Sequence, residues 1–394
     1  MVDTATMTTA EANEIRECNL GLIEKYLGRE GIAWWDRGAE EAGWFAEDFL
    51  YQLPWAPRGM PVTYAGNDRR EYFKLLNSWL KDYEVKWQKI SPLIDPYAFW
   101  VEYYAQGESA WGKGGPYEQY EIVFMRLDEQ GRLTRCVEYF NPVNWWVAAG
   151  KTEPRFDYNI DRLRNGLEPD IRPEEDYSLR HYIEWRKNQD AIDEAMAADL
   201  KGMSAQEISE IRERNRKLLT KYLSAEAEGM PWWDERRTPG ADYHSENHFT
   251  ETPISAPGMP LKHGPGHWQK DNEWLARTVM SFDVSVECFY DMDDPYTFWY
   301  EYCGEGNMTW GQGGSYSVWE VVFVRLDKDG RMSRHRESYD PSRLLETAGS
   351  WKLPVCNMNE ERKRHGLAPH GQRIDVMEDY VQQRIADAAR GVQL

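Results

Sequence analysis

The sequence predicts an α+β fold, present twice in one chain of 394 residues. Three observations carry that prediction. DPYAFWVEYYAQGESAWGKGG, beginning at Asp95, and DPYTFWYEYCGEGNMTWGQGG, beginning at Asp294, agree at 12 of 21 positions and lie 294 − 95 = 199 residues apart. Flanking blocks repeat in the same order. EIRECNLGLIEKYL pairs with EIRERNRKLLTKYL, WWD with WWD, APRGMP with SAPGMP, and RLDEQGRLTRCVEYFNP with RLDKDGRMSRHRESYDP. Within each copy, helical periodicity comes first and strand-like runs follow, which is the order of α+β rather than of alternating βαβ units. The period is too long for a solenoid. It reads as a duplicated domain of about 170–180 residues.

Each element follows from local pattern. Ile211, Leu218, Leu219, Tyr222 and Leu223 recur at helical spacing, so the second copy opens with an amphipathic helix, and Glu14 opens its counterpart. A Gly- and Pro-rich stretch with the WWD motif comes next. A second helix is expected around Arg70–Leu80 and around Lys270–Met280. Four strand-like runs rich in aromatic and β-branched residues close the second copy: FDVSVECFY, YTFWYEYC, YSVWEVVFVRLD and GRMSRHRESYD. Asp-Pro, Gly-Gly and Lys-Asp-Gly separate them as turns. Polar helical material joins the copies and a similar tail follows the second. The expected division is residues 1–170, a helical linker at 171–203, and residues 204–394 with the tail.

Composition narrows the function. The net charge of −20 is repelled by phosphate backbones and anionic lipid heads, so neither nucleic acid nor a membrane surface is expected as a partner. No apolar run reaches the length of a membrane-spanning helix. The first residues, MVDTATMTTAEANE, carry no basic cluster or apolar core and do not read as a secretory signal. Cys18, Cys136, Cys288, Cys303 and Cys356 are scattered and odd in number, which fits a reducing cytoplasm better than a disulfide framework. The 19 Trp point to aromatic cores, aromatic pockets, or both.

The final strand of each copy is the most informative chemically. Side chains alternate between faces of a strand. Ser333, His335, Glu337 and Tyr339 therefore share one face, and Thr134, Cys136, Glu138 and Phe140 form the equivalent face of the first copy. A carboxyl among aromatic rings loses hydration and its pKa rises, which suits a general acid and base near neutral pH. His335 can share that proton work. The plainer reading makes Glu337 and Glu138 solvent-facing residues paired with neighbouring Arg.

Other motifs have competing readings. His244 with His248, and His263 with His267, have the spacing of paired metal ligands on a helix. Their Gly- and Pro-rich surroundings, and Tyr64 and Asp68 at the matching places of the first copy, argue against a metal, and none is expected. The pairs Trp34–Trp35, Trp145–Trp146 and Trp232–Trp233 either stack a flat ligand or wedge loops into a core. GKGG after Trp111 and GQGG after Trp310 lack the Lys-Ser/Thr of a phosphate loop and read as wide turns.

With these residues in hand, each copy resembles the PhzA/PhzB family of phenazine biosynthesis, within the NTF2-like (SnoaL-like) superfamily. The blocks EIRERNRKLLTKYL, DMDDPYTFWYEYCGEG, GGSYSVWEVVF, LDKDGRMSRHRE and RKRHGLAP carry the resemblance across Glu210–Pro369, and more loosely across Glu14–Pro169. The resemblance implies cone-shaped domains, each a curved antiparallel sheet wrapped around helices over a deep pocket. The two copies look like a covalently joined dimer, an internal pseudo-dimer in which association is intramolecular. Further homodimerisation of the chain is also possible on this reading.

The resemblance further implies acid/base catalysis of a condensation, cyclisation or isomerisation of a reactive small molecule in bacterial specialised metabolism, without metal or organic cofactor. Its catalytic Glu matches Glu337 and Glu138, and a pocket Tyr matches Tyr316 and Tyr117. The family's helix His does not match: Asp271 and Tyr72 stand there. Trp274, Trp310, Tyr339 and His263 complete the expected binding residues, with the second copy favoured as active. A dehydratase or hydrolase of the same superfamily, or a non-catalytic small-molecule carrier, are the alternatives.

Overall fold

The computed structural model describes residues 7–29, 33–198, 200, 202–224, 244–370 and 376–389. Trp232 and Trp233 lie outside the described residues. The chain divides into two compact units: Met1–Glu153 with Leu353–Leu394, and Pro154–Lys352.

In the first unit, α1 (Thr9–Tyr26) starts at a capping box in which the Thr8 hydroxyl accepts from the Glu11 amide and the Glu11 carboxylate accepts from the Thr8 amide. It is followed by α2 (Arg37–Glu41), β1 (Phe45–Gln52), β2 (Thr63–Ala65), α3 (Gly66–Trp79), β3 (Leu80–Pro92), β4 (Ala98–Ser109), β5 (Gly115–Leu127), β6 (Leu133–Tyr139) and α4 (Pro142–Ala148). The chain then enters the second unit through α5 (Tyr158–Arg164), α6 (Leu179–Ala198) and α7 (Ala205–Ser224). There it repeats the order with β7 (His244–Glu251), β8 (Lys262–His263), α8 (Trp268–Thr278), β9 (Val279–Asp291), β10 (Thr297–Met308), β11 (Gly314–Leu326), β12 (Met332–Ser338) and α9 (Pro341–Thr347). The tail returns to the first unit as α10 (Met358–Arg364) and α11 (Met377–Ala389).

Each unit has one six-stranded sheet, in the order β2-β1-β6-β5-β4-β3 and β8-β7-β12-β11-β10-β9. The expected second helix and four main strands of each copy are present. The sheets are not wholly antiparallel as expected, because β1 runs parallel to β6 and β7 parallel to β12. FAEDFLYQ and HSENHFTE carry little strand pattern, and a parallel neighbour is reached only through a long crossover, so nothing local announces it. Register shifts in β3–β4 and β9–β10 mark bulges, which bend the strands. On the helical side of the second sheet, Leu219 and Tyr222 of α7 pack against Phe298, Tyr300, Val322 and Val324. The Tyr222 hydroxyl reaches the Gly330 carbonyl at 2.7 Å.

The contacts group the segments differently from the contiguous boundaries 1–170, 171–203 and 204–394. Residues 154–203 pack with the second sheet: Phe156 and Tyr158 lie against Trp274, and Tyr182 of α6 donates to Glu251. The tail packs with the first sheet, where Tyr380 meets Tyr139 and Gln383 meets Gln52. GKGG and GQGG are turns between β4 and β5 and between β10 and β11. Gly112 and Gly311 have φ of 56°, and a Cβ on either would lie 2.4 or 2.2 Å from a helix-terminal carbonyl, so only glycine fits.

Candidate functional site

In the second unit, one cavity of about 600 Å³ gathers side chains from both layers. The sheet supplies Tyr302 from β10, Tyr316 and Glu320 from β11, and Glu337 from β12. Tyr316 and Glu320 share a face because four residues along a strand is an even number. Helix α8 supplies Asp271 and Trp274, and the edge strand β8 supplies His263. Trp274 stacks on Trp310 with ring centres 5.6 Å apart and planes inclined by 15°. Both indole N–H groups are bonded, Trp274 to Asp161 and Trp310 to Thr278, each at 2.8 Å.

The carboxyls form two stations. At the sheet, the Tyr302 hydroxyl lies 2.6 Å from Glu320 Oε2 and 3.0 Å from Glu337 Oε1. A phenol has one proton to give. Tyr302 can donate to either carboxylate, and its own pKa is raised by burial and then by the two glutamates. At the helix, Asp271 is buried, which pushes its carboxyl up to about 6 against the pull of Arg172 and of the Tyr158 hydroxyl donating at 3.1 Å. The charge of Glu337 raises it further, so the two stations sense each other. His263 is held neutral by burial and by Arg172, whose guanidinium donates to Nδ1 at 2.9 Å.

The first unit has a matching cavity of about 560 Å³. Glu121 and Glu138 occupy the positions of Glu320 and Glu337. Burial raises both. Glu138 goes well above the carboxylate range because it also faces the Glu121 charge and, when protonated, donates a hydrogen bond to that neighbour. Tyr51 donates to Glu138 and Tyr83 to Glu121, each at 2.7 Å, and Tyr103 also donates to Glu121. The walls are aromatic: Trp34, Trp35, Tyr72, Trp79 and Trp145 line the space, so two of the tryptophan pairs contribute to a pocket. Tyr72 stands where the second pocket has Asp271, and among the described residues the only carboxyls lining this pocket are Glu121 and Glu138.

The cavities are lined by Glu337, Glu138, Tyr316, Tyr117, Asp271, Trp274, Trp310, Tyr339 and His263. His335 is the exception. Two residues along β12 amount to about 6.6 Å, and His335 is buried outside the cavity lining, near His248 and Glu251. Burial pushes its imidazole down, although Glu337 and Glu251 pull it back up. Pairing of Glu337 with a neighbouring Arg is also overturned. Arg334 and Arg336 point to the other face, where Arg334 binds Glu251 at 2.7 Å and Asp193 at 2.6 Å.

Of the two HxxxH pairs, His244 and His248 bring their ring centres within 4.4 Å, whereas His263 and His267 turn to different partners. His244 and His248 lie on β7 beside Trp268, and His267 meets Asp170 at 2.7 Å while His263 faces Arg172. Among the described residues, no group of three or more His, Cys, Asp or Glu is arranged to hold a metal ion. Sequence reasoning missed Glu121, Glu320, Tyr103 and Tyr302. All four are identical in the two copies and share a strand face with a residue that was singled out or with one another's partner. That alternation was the available signal.

Comparison with known proteins adds likeness of structure alone. No protein-family model matches the chain, and no curated protein does. A phenazine biosynthesis-related protein from Pseudomonas aeruginosa is similar over 39% of this chain and 97% of its own, at 19% identity and a TM-score of 0.33. A putative polyketide cyclase from Xanthomonas campestris is similar over 34% of this chain and 98% of its own, at 17% identity and a TM-score of 0.29. A steroid delta-isomerase from Pseudomonas aeruginosa is similar over 34% of this chain and 86% of its own, at 19% identity and a TM-score of 0.24.

Proposed function

We propose that the chain is a fused pair of NTF2-like domains of the PhzA/PhzB kind, and that its second pocket is an acid/base active site. It condenses, cyclises or isomerises a flat, reactive small molecule of specialised metabolism, without a cofactor. The observation that supports this most is the placement of proton-handling groups on two walls of one aromatic cavity: Glu337 with Glu320 and Tyr302 on the sheet, and Asp271 on the helix. A carboxyl poised near 6 has the proton affinity that general acid/base work needs at neutral pH.

In this reading Glu337 takes a proton from the bound molecule and Asp271, when protonated, gives one back. Trp274 and Trp310 hold the ring between the two stations. Orientation of this kind contributes a large part of the acceleration in reactions of two tethered centres. The first pocket keeps the sheet pair but lacks the helix acid, so it binds a related molecule or turns it over more slowly. The test is to incubate the purified chain with a metabolite extract of its host and follow compounds consumed and formed by mass spectrometry. Wild type should convert a compound that Glu337→Gln still retains but leaves unchanged. Retention without conversion by the wild type would make the protein a carrier.

A further inference from the structure

The segments that follow the two sheets agree at 6 of 15 positions, and they dock in the same way. Phe156–Asp170 and Cys356–His370 correspond at a constant offset, 356 − 156 = 200. The Phe156 amide donates to the Pro257 carbonyl at 2.8 Å, and the Cys356 amide to the Arg58 carbonyl at 2.6 Å. Each lands beside a glycine of positive φ, Gly258 or Gly59, where a Cβ would lie 2.1 Å from the docked carbonyl. Asp157 caps α5 and Asn357 caps α10. Arg162 reaches the Glu168 carbonyl, and Arg362 the Ala368 carbonyl. The Asp170 and His370 amides each donate to an Asn side chain, Asn159 or Asn359, at 2.7 Å. Backbone shape gives each segment no reason to prefer one unit over the other.

Charge does. On the second unit, Asp170 meets His267 at 2.7 Å and Lys270 at 3.2 Å. On the first, the pair is inverted: His370 of the docking segment meets Asp68 at 3.8 Å. Asp68 and Glu71 stand at the positions of His267 and Lys270. If the segments were exchanged, Asp170 would face two carboxylates and His370 would face an imidazole and an ammonium. The apolar match inverts as well. Tyr158 hydrogen-bonds Asp271, whereas Met358 and Tyr72 hold those two places in the first unit. Met358 against Asp271 would leave a buried carboxyl without its phenol, a costly arrangement.

We propose that the inverted acid–base pairs are the recognition code by which each docking segment selects its own sheet. Specificity between near-identical surfaces requires a repulsive element against the wrong partner as well as an attraction to the right one. Here one exchange of sign supplies both. The selection matters to the site, because the segment docked on the second unit brings Tyr158 to Asp271 and Arg172 to His263.

Hydrogen–deuterium exchange on the full chain tests this, read at the amides of Cys356–His370 with those of Phe156–Asp170 as internal reference. His370→Asp should raise exchange in Cys356–His370 on the order of tenfold, since like charges meet at a docked surface. His370→Ala should raise it less, since it removes attraction without adding repulsion. Adding Asp68→His to His370→Asp should restore protection, because the pair then has the orientation used on the second unit. The proposal is overturned if His370→Asp leaves exchange unchanged, if Ala and Asp act alike, or if the reversed pair fails to restore protection.

Discussion

The two pockets share a scaffold and differ in where they keep their protons. In the first, Glu138 keeps its proton and donates a hydrogen bond to Glu121 within a ring of phenols, and among the described residues both carboxyls of the pocket lie on the sheet. In the second, Tyr302 stands between Glu320 and Glu337, and a further carboxyl, Asp271, sits on the helix wall. The exchange of Tyr72 for Asp271 is one position in the sequence, yet it gives the second pocket a carboxyl on its helix wall as well as on its sheet.

The largest expected effect separates the pockets directly. Glu337→Gln should lower conversion by roughly 10²–10⁴, the usual contribution of a general acid or base. Glu138→Gln should lower it by less than about tenfold. If the two variants trade places in that assay, the reactive pocket is the first one. Asp271→Asn should follow, with a loss on the order of 10²-fold, and it should leave binding of the same compound, measured by native mass spectrometry, within a few-fold.

Asp271 also makes a stability prediction. Its folded-state value of about 6 lies above that of an unfolded aspartate, so the native state binds the extra proton. Stability from this group is greatest below about pH 4 and declines as pH rises through 6, by about 3 kcal/mol in all. Denaturant midpoints of wild type relative to Asp271→Asn, taken between pH 4 and pH 8, should therefore diverge as pH rises. A difference that stays flat across this range would place Asp271 in an ordinary environment.

Smaller effects sharpen the comparison. Tyr302→Phe removes the phenol that serves both glutamates and should cost about 1–3 kcal/mol, because buried acceptors lose their donor. The urea midpoint measures it. Tyr339→Phe puts into the second pocket the residue that the first already has at Phe140. Only its bond to Ser255, at 2.8 Å, is lost, and the expected cost is about 1 kcal/mol.

What the sequence revealed follows from the range of the interactions. Repeats, amphipathic helices and alternating strands are local patterns, and they put Glu138 and Glu337 at the same place on the last strand of each copy, whereas Tyr117 and Tyr316 rest on the family resemblance. Glu121 and Glu320 are equally legible, four residues beyond those tyrosines on the same face of the preceding strand. The partnership of Tyr158 with Asp271 was not legible, since 113 residues separate them. The same holds for the parallel pairing of β1 with β6 and for the displacement of His335 from the cavity. Alternation tells which face a side chain takes, and only the packed structure tells how deep along the strand the cavity ends.

The most direct test of a two-walled proton site is carboxyl carbon NMR of the aspartate-labelled full chain, with Asp271→Asn used to assign the signal. Asp271 should titrate with a midpoint near 6. Glu337→Gln should lower that midpoint, since it removes the negative charge that raises it. A midpoint near that of a solvated aspartate, unmoved by Glu337→Gln, would contradict the account.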